Sequence, residues 1–161
     1  MDSVCDLVET ISAQRLTVLQ PSMRATWAAL MKFDGMGSFL SGQVVADLAH
    51  LPAGKDWPDR ETWAPLGPGS ARGINRLRGI PKDKAVGQPG FEKLLPELIA
   101  VLRPKIQEIW DDRQLHAMDI QNCLCEYDKF RRLQLQEGKV RAKYDGKPAP
   151  ATHDAQRGLF A

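Results

Sequence analysis

Two arginines four residues apart could hold a phosphate group. Arg72 and Arg76 lie in a glycine-rich stretch, residues 67–79, and a helical spacing of four places both guanidinium groups on one face. Guanidinium groups bind phosphate oxygens in pairs, and a helix start offers free amides to an anion. The stretch predicts a phosphate cradle or, equally, a glycine-rich corner with solvent-exposed arginines. The candidate phosphate ligands besides the arginines are Gly67, Gly69, Ser70 and Asn75.

Two carboxylates further along the chain could do acid–base work. Asp119 and Glu126 belong, with Asn122 and Lys129, to a polar stripe at spacings of three and four. The stripe borders the apolar face of a predicted helix. A carboxylate at the edge of a core is a candidate proton acceptor or amine-orienting group. The structural alternative is that Glu126 pairs with Lys129 and that Asp119 caps the start of the helix.

A glycine-containing turn between two helical stretches predicts a DNA backbone clamp. Gly35 and Gly37 separate predicted helices at residues 23–32 and 39–49, with Ser38 as the N-cap of the second. We expect both glycines to adopt left-handed backbone conformations and the turn to present amides to a phosphate. This pattern is typical of a helix-hairpin-helix, and the alternative is an ordinary corner between helices.

Charge distribution favours a polyanionic partner. The 161 residues carry a net charge of only +2, but residues 72–84 and 129–147 are strongly basic. Two basic segments predict one positive face, and the alternative is solvated helix ends with a basic tail. Three cysteines exclude a disulfide framework and a four-thiolate cluster. The candidate DNA contacts are Gly35, Gly37, Ser38, Arg78, Lys129, Arg131 and Arg132.

The elements that must position these residues are all helical. Apolar spacing predicts further helices at residues 2–19, 70–77, 91–110 and 117–135, with Pro96 and Pro104 breaking or kinking the third of these. No strand pattern is present, so the predicted fold class is all-α. We divide the chain into an N-terminal helix or arm (1–20), one domain (21–144) and a flexible tail (145–161). No run is long enough to span a membrane, and the acidic start lacks a signal-peptide pattern.

Three segments together resemble a phage thymine-hypermodification family. They are Phe33–Leu40 followed by Val44–Leu48, then Gly67–Leu77, then Asp119–Phe130. The family includes the helical domain of 5-hydroxymethyluracil DNA kinases and the α-glutamyl/putrescinyl thymine pyrophosphorylases, also described as amino acid:DNA transferases. The resemblance runs from about residue 20 to Tyr144 and corresponds to the C-terminal portion of longer members.

The resemblance implies a helix-hairpin-helix DNA-glycosylase-like fold that flips a modified uracil out of duplex DNA and replaces its pyrophosphate with an amine. Arg72 and Arg76 would hold the pyrophosphate, Glu126 would accept the proton of the amine, and Asp119 is the second catalytic candidate. Trp57 or Trp63 could stack on a base or belong to the core.

The implied partners are double-stranded DNA carrying modified uracil, an amine or amino-acid donor, and a 5-hydroxymethyluracil DNA kinase or a separate N-terminal subunit. We expect no cofactor and a location in the cytoplasm of an infected bacterium. Two alternatives stay open: a non-catalytic DNA-binding module that partners a kinase or transferase, and a DNA glycosylase. The chain lacks a P-loop, so it is not itself a nucleotide kinase of that type.

Overall fold

The computed structural model describes residues 18–110 and 114–137, together with residues 9, 12 and 13. This part of the chain contains helices and no strand, so the all-α prediction is confirmed. The predicted helix at residues 2–19 falls largely outside the described residues, and the predicted tail at 145–161 falls wholly outside them. The helices are α1 (Met23–Leu30), α2 (Ser38–Leu48), α3 (Pro68–Leu77), α4 (Gln88–Gln107) and α5 (Ala117–Gln134).

The turn between α1 and α2 has the predicted position and part of the predicted conformation. Gly35 has φ of 84°, so its left-handed conformation is confirmed. Gly37 has φ of −74° and ψ of 170°, so the same prediction for Gly37 is wrong. Gly37 is the N-cap of α2, and an N-cap residue needs extended backbone. Ser38 is therefore the first residue of α2 rather than its cap.

The core takes buried side chains from all five helices and from the loop between α2 and α3. Phe91 and Leu95 of α4 and Ile120 of α5 are almost completely buried. Trp57 and Trp63 are also core residues, with exposures of 7% and 3%. The Trp57 Nε1–H donates to the Gln20 carbonyl oxygen at 2.9 Å, and the Trp63 ring packs on Trp27 with centroids 5.7 Å apart. These two rings support the fold from inside, where a DNA base cannot stack on them.

Two prolines lie inside α4 without breaking it. The helix runs uninterrupted from Gln88 to Gln107 and contains both Pro96 and Pro104. Both prolines are exposed, so the carbonyl groups that lose their amide partners can bind water. The prediction of a break is therefore wrong, and the alternative, a kink, stays a prediction. Among the described helices, none has the length and apolarity needed to cross a membrane.

Helix α3 lies unusually close to α5 because two glycines face it. A Cβ on Gly73 would lie 2.2 Å from the Leu124 carbonyl oxygen, and a Cβ on Gly69 would lie 3.1 Å from the Cys125 Sγ atom. The spacing of four residues puts both glycines on one face of α3. This close approach brings the neighbouring arginines of α3 over the C-terminal half of α5.

Candidate functional site

A buried carboxylate fixes the two arginines of α3. Asp128 on α5 is 0% exposed. Its Oδ2 atom accepts from Arg72 Nε at 2.8 Å and from Arg72 Nη2 at 2.8 Å, and its Oδ1 atom accepts from Arg76 Nε at 2.8 Å. Burial pushes the pKa of Asp128 upward, but the hydrogen bonds from Arg72 and Arg76 outweigh burial and hold the pKa below its usual value. Asp128 is therefore ionised and orients both guanidinium groups.

The two arginines form one wall of a basic cleft. The cleft has a volume of about 500 Å³ and contains four cationic side chains and one carboxylate. Arg76 also donates from Nη2 to Glu137 Oε2, and this bond is the main reason why the pKa of Arg76 is raised. Because the cations outnumber the carboxylate, the cleft can attract an anion. The residues that line the basic cleft are Arg72, Arg76, Lys82, Arg132 and Glu137.

Lys82 reaches the cleft because a buried amide holds its loop. The Asn75 Nδ2 group donates to the carbonyl oxygens of Lys82 at 3.1 Å and Lys84 at 2.7 Å. Gly79, with φ of 66°, reverses the chain after α3, and the Ile80 amide donates to the Asn75 carbonyl oxygen at 3.0 Å. The loop therefore folds back over α3 and delivers Lys82 to the cleft.

Apart from the two arginines, none of the predicted phosphate ligands in the glycine-rich stretch lines this cleft. Ser70 is buried, and its Oγ atom accepts from the Gly67 amide at 3.0 Å. Gly69 packs on Cys125, and Asn75 holds the loop after α3. These contacts attach α3 to α5 and to its own loop. A phosphate-binding role for the four residues stays a prediction.

The predicted catalytic carboxylates lie apart from the arginines. Glu126 is exposed (69% for its side chain), and its Oε1 atom accepts from Lys129 Nζ at 2.5 Å. Asp119 caps the start of α5, since its Oδ2 atom accepts from the His116 amide at 2.8 Å. Nine residues of helix, roughly 13 Å, separate Asp119 from Asp128. Both carboxylates therefore make the structural contacts considered as the alternative, in which Glu126 pairs with Lys129 and Asp119 caps α5. Their catalytic role stays a prediction.

The predicted DNA contacts fall in two regions. Arg78 is exposed at the C-cap of α3, and Lys129 and Arg131 lie on the last turns of α5, where Arg131 donates to Gln134 Oε1 at 2.5 Å. Arg132 is the member of this set that lines the basic cleft. Gly35, Gly37 and Ser38 belong to the turn between α1 and α2.

Sequence reasoning missed Asp128 and Glu137. Asp128 lies four residues after Leu124 and seven after Gln121, in the buried register of α5. An acidic residue in a buried helical register needs a cationic partner. That signal could have identified Asp128, whereas no sequence signal points to Glu137.

A second cavity of about 770 Å³ lies at the N-terminal end of α5. Asp119 belongs to this cavity and not to the basic cleft. Burial and the charge of Arg60 lower the pKa of His116 there. Within the described residues, no cluster of three histidine, cysteine or acidic side chains could hold a metal ion. The cavity is lined by His50, Arg60, Ile106, Trp110, Gln114, Leu115, His116, Asp119, Asn122 and Cys123.

Comparison with known families agrees with the helical architecture. The profile described as "5-hmdU DNA kinase, helical domain" matches residues 4–140. The match begins earlier than the resemblance noted from the three segments, which started at about residue 20. No curated protein and no solved structure matches the chain. Because the profile covers most of the 161 residues, the chain belongs to the family of 5-hmdU DNA kinase helical domains.

Proposed function

We propose that this chain is the DNA-binding helical part of a system that modifies 5-hydroxymethyluracil in bacteriophage DNA, and that its basic cleft binds a phosphate group of that DNA. The observation that carries the proposal is the pair of arginines fixed by Asp128 at the wall of the cleft. Membership of the 5-hmdU DNA kinase helical domain family supports the DNA and the modified base as partners.

Fixed guanidinium groups are well suited to binding phosphate. The Asp128 carboxylate accepts hydrogen bonds from Nε and Nη2 of Arg72 and from Nε of Arg76. Because both side chains are already ordered, ligand binding does not have to order them. Lys82 also pairs with Asp83, so four cations against the carboxylates of Asp128, Glu137 and Asp83 leave one net positive charge at the cleft. The remaining N–H groups of the arginines and the ammonium group of Lys82 can donate hydrogen bonds to phosphate oxygens.

Lys82 and Arg132 allow the cleft to be tested without disturbing Asp128. Neither side chain contacts that carboxylate, whereas an alanine at Arg72 or Arg76 would leave a buried charge short of a partner. We expect Lys82→Ala and Arg132→Ala each to weaken binding to a duplex containing 5-hydroxymethyluracil. Each should also reduce the slope of log K against log salt by about one, as measured by fluorescence anisotropy.

Lys84→Ala is the matched control for this experiment. Lys84 is exposed in the same loop, but its side chain does not line the cleft. Equal affinities for the two cleft variants and the Lys84→Ala control would show that DNA does not use the cleft. Thermal melting of each variant separates lost binding from lost folding.

A second candidate function is the amine transfer that the sequence resemblance implies. In that reaction the protein flips the modified uracil out of the duplex and replaces its pyrophosphate with an amine. The side-by-side guanidinium groups of Arg72 and Arg76 favour it, because they match two adjacent phosphate groups of a leaving pyrophosphate. The positions of Glu126 and Asp119 count against it, because neither carboxylate lines the cleft.

Nucleoside mass analysis distinguishes the two candidates. The protein is incubated with 5-hydroxymethyluracil DNA, a 5-hydroxymethyluracil DNA kinase, ATP and candidate amines. A transferase would produce an amine-bearing thymine, and Glu126→Gln would slow this product while sparing DNA binding. A DNA-binding module that partners the kinase would produce none, and would instead co-purify with the kinase or increase its activity on DNA.

A further inference from the structure

The chain folds back into the basic cleft after α5. Gln136 adopts φ of 54°, a left-handed conformation that is uncommon outside glycine. The Gln136 amide donates to the Leu133 carbonyl oxygen at 3.2 Å, and the Glu137 amide donates to the Arg132 carbonyl oxygen at 2.8 Å. This left-handed turn is a common way to end a helix, and here it aims the Glu137 side chain back at α3.

The Glu137 carboxylate sits on the arginine that the cleft offers to an anion. Arg76 is only 8% exposed at its side chain, and its bonds to Asp128 and Glu137 come from different nitrogen atoms. Glu137 itself is 34% exposed. The charged groups that face it are Arg76, Lys82, Arg132 and, behind Arg76, Asp128. A carboxylate presents two oxygens to a guanidinium group much as a phosphate does.

We propose that the Glu137 carboxylate occupies the position on Arg76 that a bound phosphate would take in the basic cleft. An incoming phosphate must then displace this carboxylate from Arg76. The proposal rests on the proposed phosphate-binding function of the cleft. It gives the cleft two states: one closed by Glu137, and one open to a ligand. The measured affinity is then the intrinsic affinity reduced by the fraction of molecules that are open.

Displacement of Glu137 predicts how the affinity for different ligands changes when the Glu137 charge is removed. Because the closed state costs every ligand the same free energy, removing the Glu137 charge should improve the affinity for each displacing anion. A partly exposed ion pair corresponds to about a fivefold change in affinity. Pyrophosphate and a duplex containing 5-hydroxymethyluracil are suitable probes, since both carry phosphate oxygens but differ in size and charge.

The test compares Glu137→Gln and Glu137→Ala with the wild-type protein by calorimetric titration of pyrophosphate and by anisotropy with the duplex. Glu97→Gln, an exposed residue on α4, controls for the change in net charge. We expect both Glu137 variants to bind both probes about fivefold more tightly, and Glu97→Gln to bind like wild type. In wild-type protein, saturation with pyrophosphate should shift the NMR signals of the Arg76 guanidinium group.

Equal affinities of wild type and both Glu137 variants would overturn the proposal. So would an equal gain in Glu97→Gln, which would be a general charge effect, or the absence of pyrophosphate binding in all proteins. The proposed function fails separately, if Lys82→Ala and Arg132→Ala bind the duplex like wild type. A fivefold gain for pyrophosphate in the Glu137 variants would then still support displacement of the carboxylate.

Discussion

The Asp128 carboxylate adds an ionic contact to the packing of α3 on α5. In Asp128→Asn, Arg72 and Arg76 lose their ionic partner, although Arg76 remains largely buried. Removing one member of a buried ion pair destabilises a protein by about 3 kcal/mol. We expect a loss of this size in the free energy of unfolding, measured by urea denaturation. Asp47→Asn, on an exposed position of α2, should change stability by less than about 0.5 kcal/mol, and equal stabilities of the two variants would contradict the prediction.

The same carboxylate predicts the direction of acid sensitivity. The pKa of Asp128 in the folded protein lies below its ordinary value of 3.8, so the folded state binds this proton less readily than the unfolded state. The contribution of Asp128 is fully present above the ordinary value and is lost as the pH falls through the folded value. Urea denaturation between pH 7 and pH 3 should show a steeper loss of stability below about pH 4 in wild type than in Asp128→Asn. Parallel curves would assign the acid sensitivity to other groups.

At the residue scale, the sequence predicted the cations better than their partners. The four-residue spacing of Arg72 and Arg76 predicted one shared face, and both side chains bind Asp128; their phosphate-binding role stays a prediction. Their partner lies more than 50 positions away in the chain. Which carboxylate they meet depends on which face of α5 packs on α3, and local spacing does not determine that face. The same reason explains why Asp119 and Glu126 were grouped with arginines that they do not contact.

At the scale of whole helices, Gly73 is the residue at which α3 approaches α5 most tightly. Its Cα lies so close to α5 that an added methyl group would meet backbone atoms of Leu124, which cannot rotate away. Gly73→Ala should therefore push the two helices apart and destabilise the protein by about 1–3 kcal/mol, measured by thermal or chemical denaturation. Gly90→Ala in α4 is the control, because a Cβ there meets nothing within 4 Å. There, alanine should be neutral or stabilising, since it favours helix. If Gly73→Ala is as stable as this control, the close approach is not needed.

Local signals identified some helix ends and not others: Ser38, a cap residue by type, lies inside α2. Ser22 caps α1, with its Oγ atom accepting from the Ala25 amide at 3.1 Å, and Gly79 ends the α3 region in a left-handed conformation. The start of α4 was missed by three residues, because Pro89 lies in the first turn of the helix, which begins at Gln88, instead of in the preceding loop. The Gln88 side chain stabilises this end of α4, accepting from the Leu66 amide at 2.7 Å and donating to the Ala64 carbonyl oxygen at 2.8 Å. Such long-range bonds leave no trace in local sequence.

For the whole molecule, the distribution of charge matters more than its sum. A net charge of +2 predicts little attraction to DNA, but the basic cleft concentrates positive charge at one end of α3 and α5. Binding to a duplex containing 5-hydroxymethyluracil should therefore weaken steeply between about 50 and 200 mM salt. Log K against log salt should slope by about −0.9 per phosphate contact. Anisotropy titrations over this range check the prediction, and an affinity that does not change with salt would remove the electrostatic argument.

The buried ion pair also favours one alignment of α3 and α5 along their axes. If one helix slid along the other by a turn, about 5.4 Å, Gly73 would move away from Leu124, which it contacts closely here. Such a slide would carry Asp128 away from both arginines and leave an uncompensated charge between the helices. The ion pair of Asp128 and the close contact of Gly73 therefore favour the same register. The wall of the cleft is built in that register, so its geometry is set when the helices dock and does not depend on a ligand to assemble it.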